Sequence, residues 1–431
     1  MAASLTLPTR DFTSPLLLRA RLVLPLARPA IPNGAVLICG PRLAALGPWR
    51  DLSRRSHQQV VDLGDAVLMP GLVNAHCHLD YTDMAGQLPP PKFFADWLKS
   101  ITATKASWSY SDYAQSWLHG AHMLVRNGTT TVADIEALPQ LLSEVLDSTP
   151  LRVFSFLEII GLKPQRPPAA ILQEVVDRLD RLRAAGRLAG LSPHAPYTTS
   201  PELLRLSARA ARRRKWRLTI HLAESAPEFE MFLHARGGMF DWLQRSGRDM
   251  SDCGLGSPAQ HLERCGALGL NLLAIHVNYL RKNDAALLAR RQVHVIHCPR
   301  SHAYFRHQPF PFRRLANAGV NICLGTDSLA SVYKTRRQTV ELSLFDEMRA
   351  LAQAEPSLSA RKLVHLVTLN AARALGLSGQ IGELAEGAFA DLIAIPFAGK
   401  PANVYQAILH HQGQVLASLI NGRWVVDPPR L

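Results

Sequence analysis

The sequence predicts a (β/α)8 barrel carrying a small β domain built from both chain ends. Between residues 68 and 377, eight short apolar strands alternate with helical patterns. Alternation of that kind builds a parallel sheet, and eight units over roughly 300 residues close it into a barrel. The segments 1–67 and 378–431 have another texture, of short strands and tight turns. Neither end alone could form a closed core, so both are expected in one domain. Polar residues also fall at the C-terminal ends of six of the eight strands, where such barrels place their reactive groups. A doubly wound sheet is the alternative reading of the same alternation.

In chain order, LLLRARLVLP, the turn Pro32-Asn33-Gly34 and AVLICG predict an opening hairpin. The barrel strands are expected at Val73–His78, Thr130–Ile135, Val153–Ile160, Leu188–His194, Leu218–Leu222, Leu273–His276, His294–His297 and Ile322–Gly325. Helices lie between most of them. One is expected over Thr339–Leu351, where Val340, Leu344, Met348 and Leu351 share a face. Prolines at Pro89–Pro91 and around Pro164–Pro168 mark surface loops, the first long enough to cover a pocket. GELAEGAFADLIAIP and GQVLASLINGRWVVD end the chain. Asn421-Gly422 between alternating apolar runs is a strong hairpin signal.

Composition bounds the function. At 431 residues, 47% hydrophobic and 19% charged, the chain can bury one large core and a smaller one. No apolar run reaches the ~18 residues that span a bilayer, so no membrane partner is expected. The opening segment is broken by Arg and Pro and is read as strands, not a signal peptide. Six cysteines form no CxxC pair, which predicts buried free thiols in a reducing cytoplasm. The formal charge of +14 has one dense run, Arg212-Arg213-Arg214-Lys215, in an expected helix. No basic and aromatic interleaving accompanies it, so the charge is read as a solvated face rather than a nucleic-acid surface.

The chemistry starts at LMPGLVNAHCHLD (68–80). His76 and His78 are one residue apart, so in a strand both imidazoles share a face and can chelate one ion. Downstream, HLAES supplies His221 and Glu224, AIHVNYL supplies His276, and LGTDSLAS supplies Asp327. Three histidines and an aspartate around an open position suit a borderline divalent ion, which acidifies a bound water. His276 is either a further ligand or a hydrogen-bond partner of the attacked group. Glu224, three residues past a ligand histidine, is placed to move protons.

The whole series resembles the amidohydrolase superfamily. PGLVNAHCHLD, NGTTTVADIE, SPHAPYTTS, HLAES, GTDSLAS, LVTLNAARALGL and GELAEGAFADLIAI carry the likeness over nearly the full chain. The resemblance implies a metal-centred hydrolase with this same two-part architecture. The fourth strand ends in Ser192-Pro193-His194 without the lysine of two-metal members, which implies the mononuclear deaminase branch. By that likeness His76, His78, His221 and Asp327 hold one ion, Zn first and Fe(II) as the alternative. Glu224, His276 and Asp327 carry the catalysis.

Within the branch, HLDYTDMAGQLPPPKFFADWLKSI, FLEIIG and GTDSLAS resemble aminodeoxyfutalosine deaminases and related adenosine-type nucleoside deaminases. His194, Trp97, Glu158 and Ser328 are the implied substrate contacts, with His302 standing where the family motif after the seventh strand has asparagine. Deamination of a guanine- or pterin-like ring and dechlorination of an s-triazine are the alternative reactions. A catalytically silent barrel acting as a scaffold is the non-enzyme alternative. A small-molecule substrate is the expected partner, and a homodimer is left open.

Overall fold

The structure is a computed structural model that describes residues 15–54, 59–162 and 166–429. The N-terminal part holds β1 (Leu16–Val23), β2 (Ile31–Cys39), β3 (Arg42–Pro48), β4 (Gln59–Asp62) and β5 (Ala66–Pro70). The next eight strands are β6 (Leu72–Cys77), β7 (Thr129–Glu136), β8 (Arg152–Ile159), β9 (Leu188–Pro193), β10 (Leu218–Leu222), β11 (Leu272–His276), β12 (His294–His297) and β13 (Asn321–Leu324). The chain ends with β14 (Leu392–Pro396), β15 (Ala417–Ile420) and β16 (Arg423–Val426).

Strands from both ends form one sheet, in the order β16-β15-β14-β5-β1-β2-β3, with β4 also on β1. The seam is the antiparallel pair β5–β14, in register Leu68↔Ala394. Its apolar face packs Leu16, Leu18, Val36, Leu68, Leu392 and Trp424 into a core of its own. The expected hairpins are present. β1 and β2 pair antiparallel. Asn421 and Gly422 both have positive φ, 52° and 74°, as the two-residue turn between β15 and β16 requires.

The middle strands pair in parallel in the order β13 to β6, and each lies within two residues of its expected place. The sheet closes where β13 meets β6. Asp327 N–H donates to the His76 carbonyl at 3.2 Å, and Cys77 bridges Asp327. The Asn74 amide locks the seam by donating to the Thr326 hydroxyl at 2.7 Å. Gly325 permits the approach, because a Cβ there would stand 2.7–2.9 Å from His76 backbone atoms. Pairing of β6 with β7 shifts register between Asn74 and Cys77, an irregularity of the kind that re-aims side chains beside active sites. Cys77 turns into the apolar layer beneath the helices.

Three expectations are corrected. The helix expected over Thr339–Leu351 runs Leu344–Ala354, because the Ser343 hydroxyl accepts the Asp346 N–H and caps it there, which leaves Val340 in the preceding loop. Five cysteines are buried, but Cys39, at the end of β2, is exposed. The loop expected around Pro164–Pro168 is already helical at Pro168, the first residue of helix Pro168–Ala184; Pro164 lies outside the described residues. The basic run closes helix Pro201–Arg214, with Lys215 as a left-handed cap. Within it, Arg214 pairs with Asp180 at 2.6 Å and Arg212 bonds the Gly266 carbonyl. Among the described residues no helix is long and apolar enough to cross a membrane.

Candidate metal centre

Four strand ends converge. His76 lies near the end of β6 with His78 just past it, His221 lies in β10, His276 ends β11, and Asp327 follows β13. All five are at least 93% buried. His76 Nε2 and His78 Nε2 stand 3.8 and 4.0 Å from Asp327 Oδ1. His78 Nε2 and His221 Nε2 are 3.4 Å apart. Ligand atoms within 4.8 Å of one another come from His76, His221 and His276, from His76, His78 and Asp327, and from His276, Cys298 and Asp327.

These donors fit a cation. Both ring nitrogens of His76 and Nδ1 of His78 are buried with no hydrogen-bond partner, a costly state unless something else satisfies them. Burial first, then neighbouring histidines, hold the His76 and His78 imidazoles well below the usual histidine range. They are therefore neutral, with lone pairs to offer. His221 Nδ1–H donates to the His194 carbonyl at 2.9 Å. Only an N–H can donate there, so the tautomer leaves Nε2 as an acceptor aimed at His78. His78 Nε2 faces it at 3.4 Å, and a cation between the two would take a lone pair from each ring.

The acidic partners are held from behind. Asp327 accepts the Ser328 N–H at 2.7 Å and the Ser331 hydroxyl at 3.3 Å. Its φ is +55° and that of His276 is +71°, strained values that cluster at functional sites. Glu224 sits on a loop whose Ala223 and Glu224 N–H groups donate to the Glu228 carboxylate at 3.0 and 2.8 Å. The Asn278 amide donates to the Glu224 carbonyl at 2.9 Å. Glu224 Oε1 lies 3.5 Å from His276 Nε2. Burial, then the Asp327 and Glu228 charges, push the Glu224 carboxyl well above the ordinary range, so it keeps its proton.

Residues 67–425 match the Amidohydrolase family. The chain belongs to the amidohydrolase family. It is 32% identical over 425 residues to a 5-methylthioadenosine/S-adenosylhomocysteine deaminase of Syntrophobacter fumaroxidans, covering 92% of this chain and 89% of that one. It is 28% identical to an aminodeoxyfutalosine deaminase of Deinococcus radiodurans, over 80% of this chain and 81% of that one. The fold superposes with a TM-score of 0.83 on the crystal structure of Helicobacter pylori aminofutalosine deaminase in complex with methylthio-coformycin, at 20% identity, covering 95% and 99% of the chains.

The other residues singled out in this amidohydrolase lie around the cluster at differing depth. His194 follows β9 with its ring 4.9 Å from that of His221, and its Nδ1 pairs with the Thr198 hydroxyl at 2.8 Å. Trp97 lies on helix Phe94–Ser107, packed edge-on against Phe305 at 5.0 Å. Glu158 sits near the end of β8 opposite Ser192. Ser328 contributes its N–H to Asp327. His302, on helix Pro299–Tyr304, donates from Nε2 to the Gln308 carbonyl at 2.9 Å. Sequence reasoning missed Cys298, Asp80, Asp134 and Glu228. Asp134 holds the segment after His78 by accepting Leu79 N–H at 2.9 Å and Trp117 Nε1–H at 2.8 Å. A signal existed for it: an acid inside the apolar strand TTTVADIE.

Proposed function

We propose that this amidohydrolase is a deaminase of adenosine-type nucleosides, the class to which the named substrates of its relatives belong, with aminodeoxyfutalosine as the first candidate. The observation that carries the reading is the set His76, His78, His221 and Asp327, with Glu224 and His276 3.5 Å apart beside it. We assign these four residues as the ligands of one divalent ion, zinc in first place. When bound, such an ion supplies Lewis acidity and a water whose pKa falls to about 7.

The chain's own groups do the rest. Glu224, protonated by its burial, gives its proton to the ring nitrogen next to the amine-bearing carbon. That makes the carbon electrophilic, and water adds to it. His276 is held well below the usual histidine range by burial; as a neutral imidazole it positions the oxygen at the new tetrahedral centre. Asp327 takes the proton of the attacking water and passes it to the amine. The C–N bond breaks, ammonia leaves, the hydroxyl of the tetrahedral centre returns its proton to Glu224, and the ring keeps a carbonyl oxygen. His194, Trp97, Glu158, Ser328 and His302 form the surround from which substrate contacts are drawn. Five buried free thiols support a cytoplasmic setting.

The test is ammonia release, with loss of the adenine-type absorbance, over a panel of 6-aminopurine nucleosides, pterins and s-triazines. Turnover of nucleosides above all other rings is expected. Turnover of a chlorinated triazine alone would overturn the proposal.

A further inference from the structure

On the flank of the barrel, a cavity of about 800 Å³ opens between helix Pro168–Ala184, helix Pro201–Arg214 and helix Pro258–Arg264. No residue of the metal cluster lines it. Its volume is that of a small-molecule site, and such sites pair apolar walls with a few charged groups. The apolar wall is Leu162, Ile171 and Leu203, with Leu255 at the rim 61% exposed.

The frame of the cavity is preformed. Arg248 is buried and commits every donor within the fold. Its Nε donates to the Tyr197 carbonyl at 3.0 Å, its Nη1 to the Asp249 carbonyl and Asp252 at 2.7 and 2.8 Å, and its Nη2 to the Pro196 carbonyl and Asp252 at 3.1 and 2.7 Å. One buried ion pair thus ties residues 248–252 to the segment that follows His194.

The charges left over are mostly positive. Arg166 pairs with Glu174, and Asp249 accepts the Ser251 N–H and hydroxyl at 2.9 and 3.0 Å. Arg205, Arg264 and Glu202 also line the cavity and have no ion-pair partner among the described residues. Arg205 makes no hydrogen bond from its side chain there either, and Arg264 donates from Nη1 to the Leu255 carbonyl at 3.0 Å. Two guanidinium groups against one carboxylate leave a single positive charge, which suits a monoanion. The planar fork of a guanidinium matches a carboxylate head. The exposed leucine and the apolar wall below it gain by covering with hydrocarbon.

We propose that this cavity is a second small-molecule site, separate from the metal centre, that takes an apolar monocarboxylate. The carboxylate lies on Arg205 and Arg264, and the body lies against Ile171, Leu203 and Leu255.

The experiment is calorimetric titration of the metal-loaded enzyme with 1-naphthoate. One molecule should bind per chain. Acetate, which has the head alone, and 2-naphthol, which has the body alone, should bind at least about tenfold more weakly. Arg205→Glu and Arg264→Glu should each weaken 1-naphthoate by at least about tenfold, the worth of one hydrogen bond to a charged group. Arg209→Glu, on the same helix as Arg205 but off the cavity, should bind as wild type does. All three arginines are exposed, so the variants should keep the wild-type Tm. Absence of saturable binding overturns the inference, as does acetate or 2-naphthol binding as tightly as 1-naphthoate. An affinity that both cavity variants leave intact would place the probe elsewhere, and an equal loss in Arg209→Glu would reduce it to a response to net charge; either result overturns the site. Binding is read without turnover, so the outcome stands apart from the deaminase reading.

Discussion

The carboxylate of Glu228 accepts the backbone N–H of Glu224 at 2.8 Å and that of Ala223 at 3.0 Å. One buried acid thus fixes the loop that carries another. Burial pushes Glu228 up to about 7, against the pull of the N–H groups it accepts. The folded state therefore holds this proton more tightly than the unfolded chain, whose glutamate titrates near 4.5. Stability from this group is present below pH ~4.5 and is lost as pH rises through ~7, by at most about 3 kcal/mol. Thermal melts at pH 5, 6 and 7.5 should show a steeper decline for wild type than for Glu228→Gln. Parallel slopes would show that Glu228 does not titrate in this window.

Glu224→Gln keeps the shape of the side chain and removes its acid. Turnover should fall by at least ~10²-fold, the usual worth of general acid catalysis, while metal content stays as in wild type. Near-normal turnover in this variant would move the proton shuttle to another residue.

Metal analysis of the purified protein should find about one divalent ion per chain. Removing it with a chelator should abolish activity and lower Tm, because an ion that binds only the folded state stabilises it by mass action. Two ions per chain, both required for activity, would contradict the single-ion assignment.

His194 stands beside His221 but its Nδ1 is engaged with Thr198. If His194 holds the part of the substrate remote from the ring, its loss removes binding equal in ground and transition states. His194→Ala should then raise KM for a nucleoside with kcat largely intact, and leave the bare base unaffected. An equal loss on nucleoside and base would place His194 at the reacting centre.

Gly325→Ala would put a methyl group within 2.7–2.9 Å of the His76 backbone. The seam between β13 and β6 must open to admit it, at a cost of about 1–3 kcal/mol. Because His76 and Asp327 flank that seam, metal affinity should fall together with Tm. A variant with wild-type metal affinity would show that the seam yields without disturbing the ligands.

Much of this protein was legible before folding was considered. The eight barrel strands announce themselves because each is a short apolar run, and apolar runs between helical patterns are a local signal. His76, His78, His221, His276 and Asp327 were legible because barrels gather reactive groups at strand ends, so position in the strand stood in for position in space. The start of helix Leu344–Ala354 was misplaced because the Ser343 cap outweighed an apolar periodicity that reached back to Val340. The deeper parts of the site come from contacts between residues far apart in the chain. Cys298 joins His276 and Asp327 only once β11, β12 and β13 lie side by side. Asp80 looks like an ordinary charged residue of a turn. What sets it apart is the loss of water around it without a partner in exchange. Desolvation depends on everything that packs around a group, and no local pattern of residues encodes it.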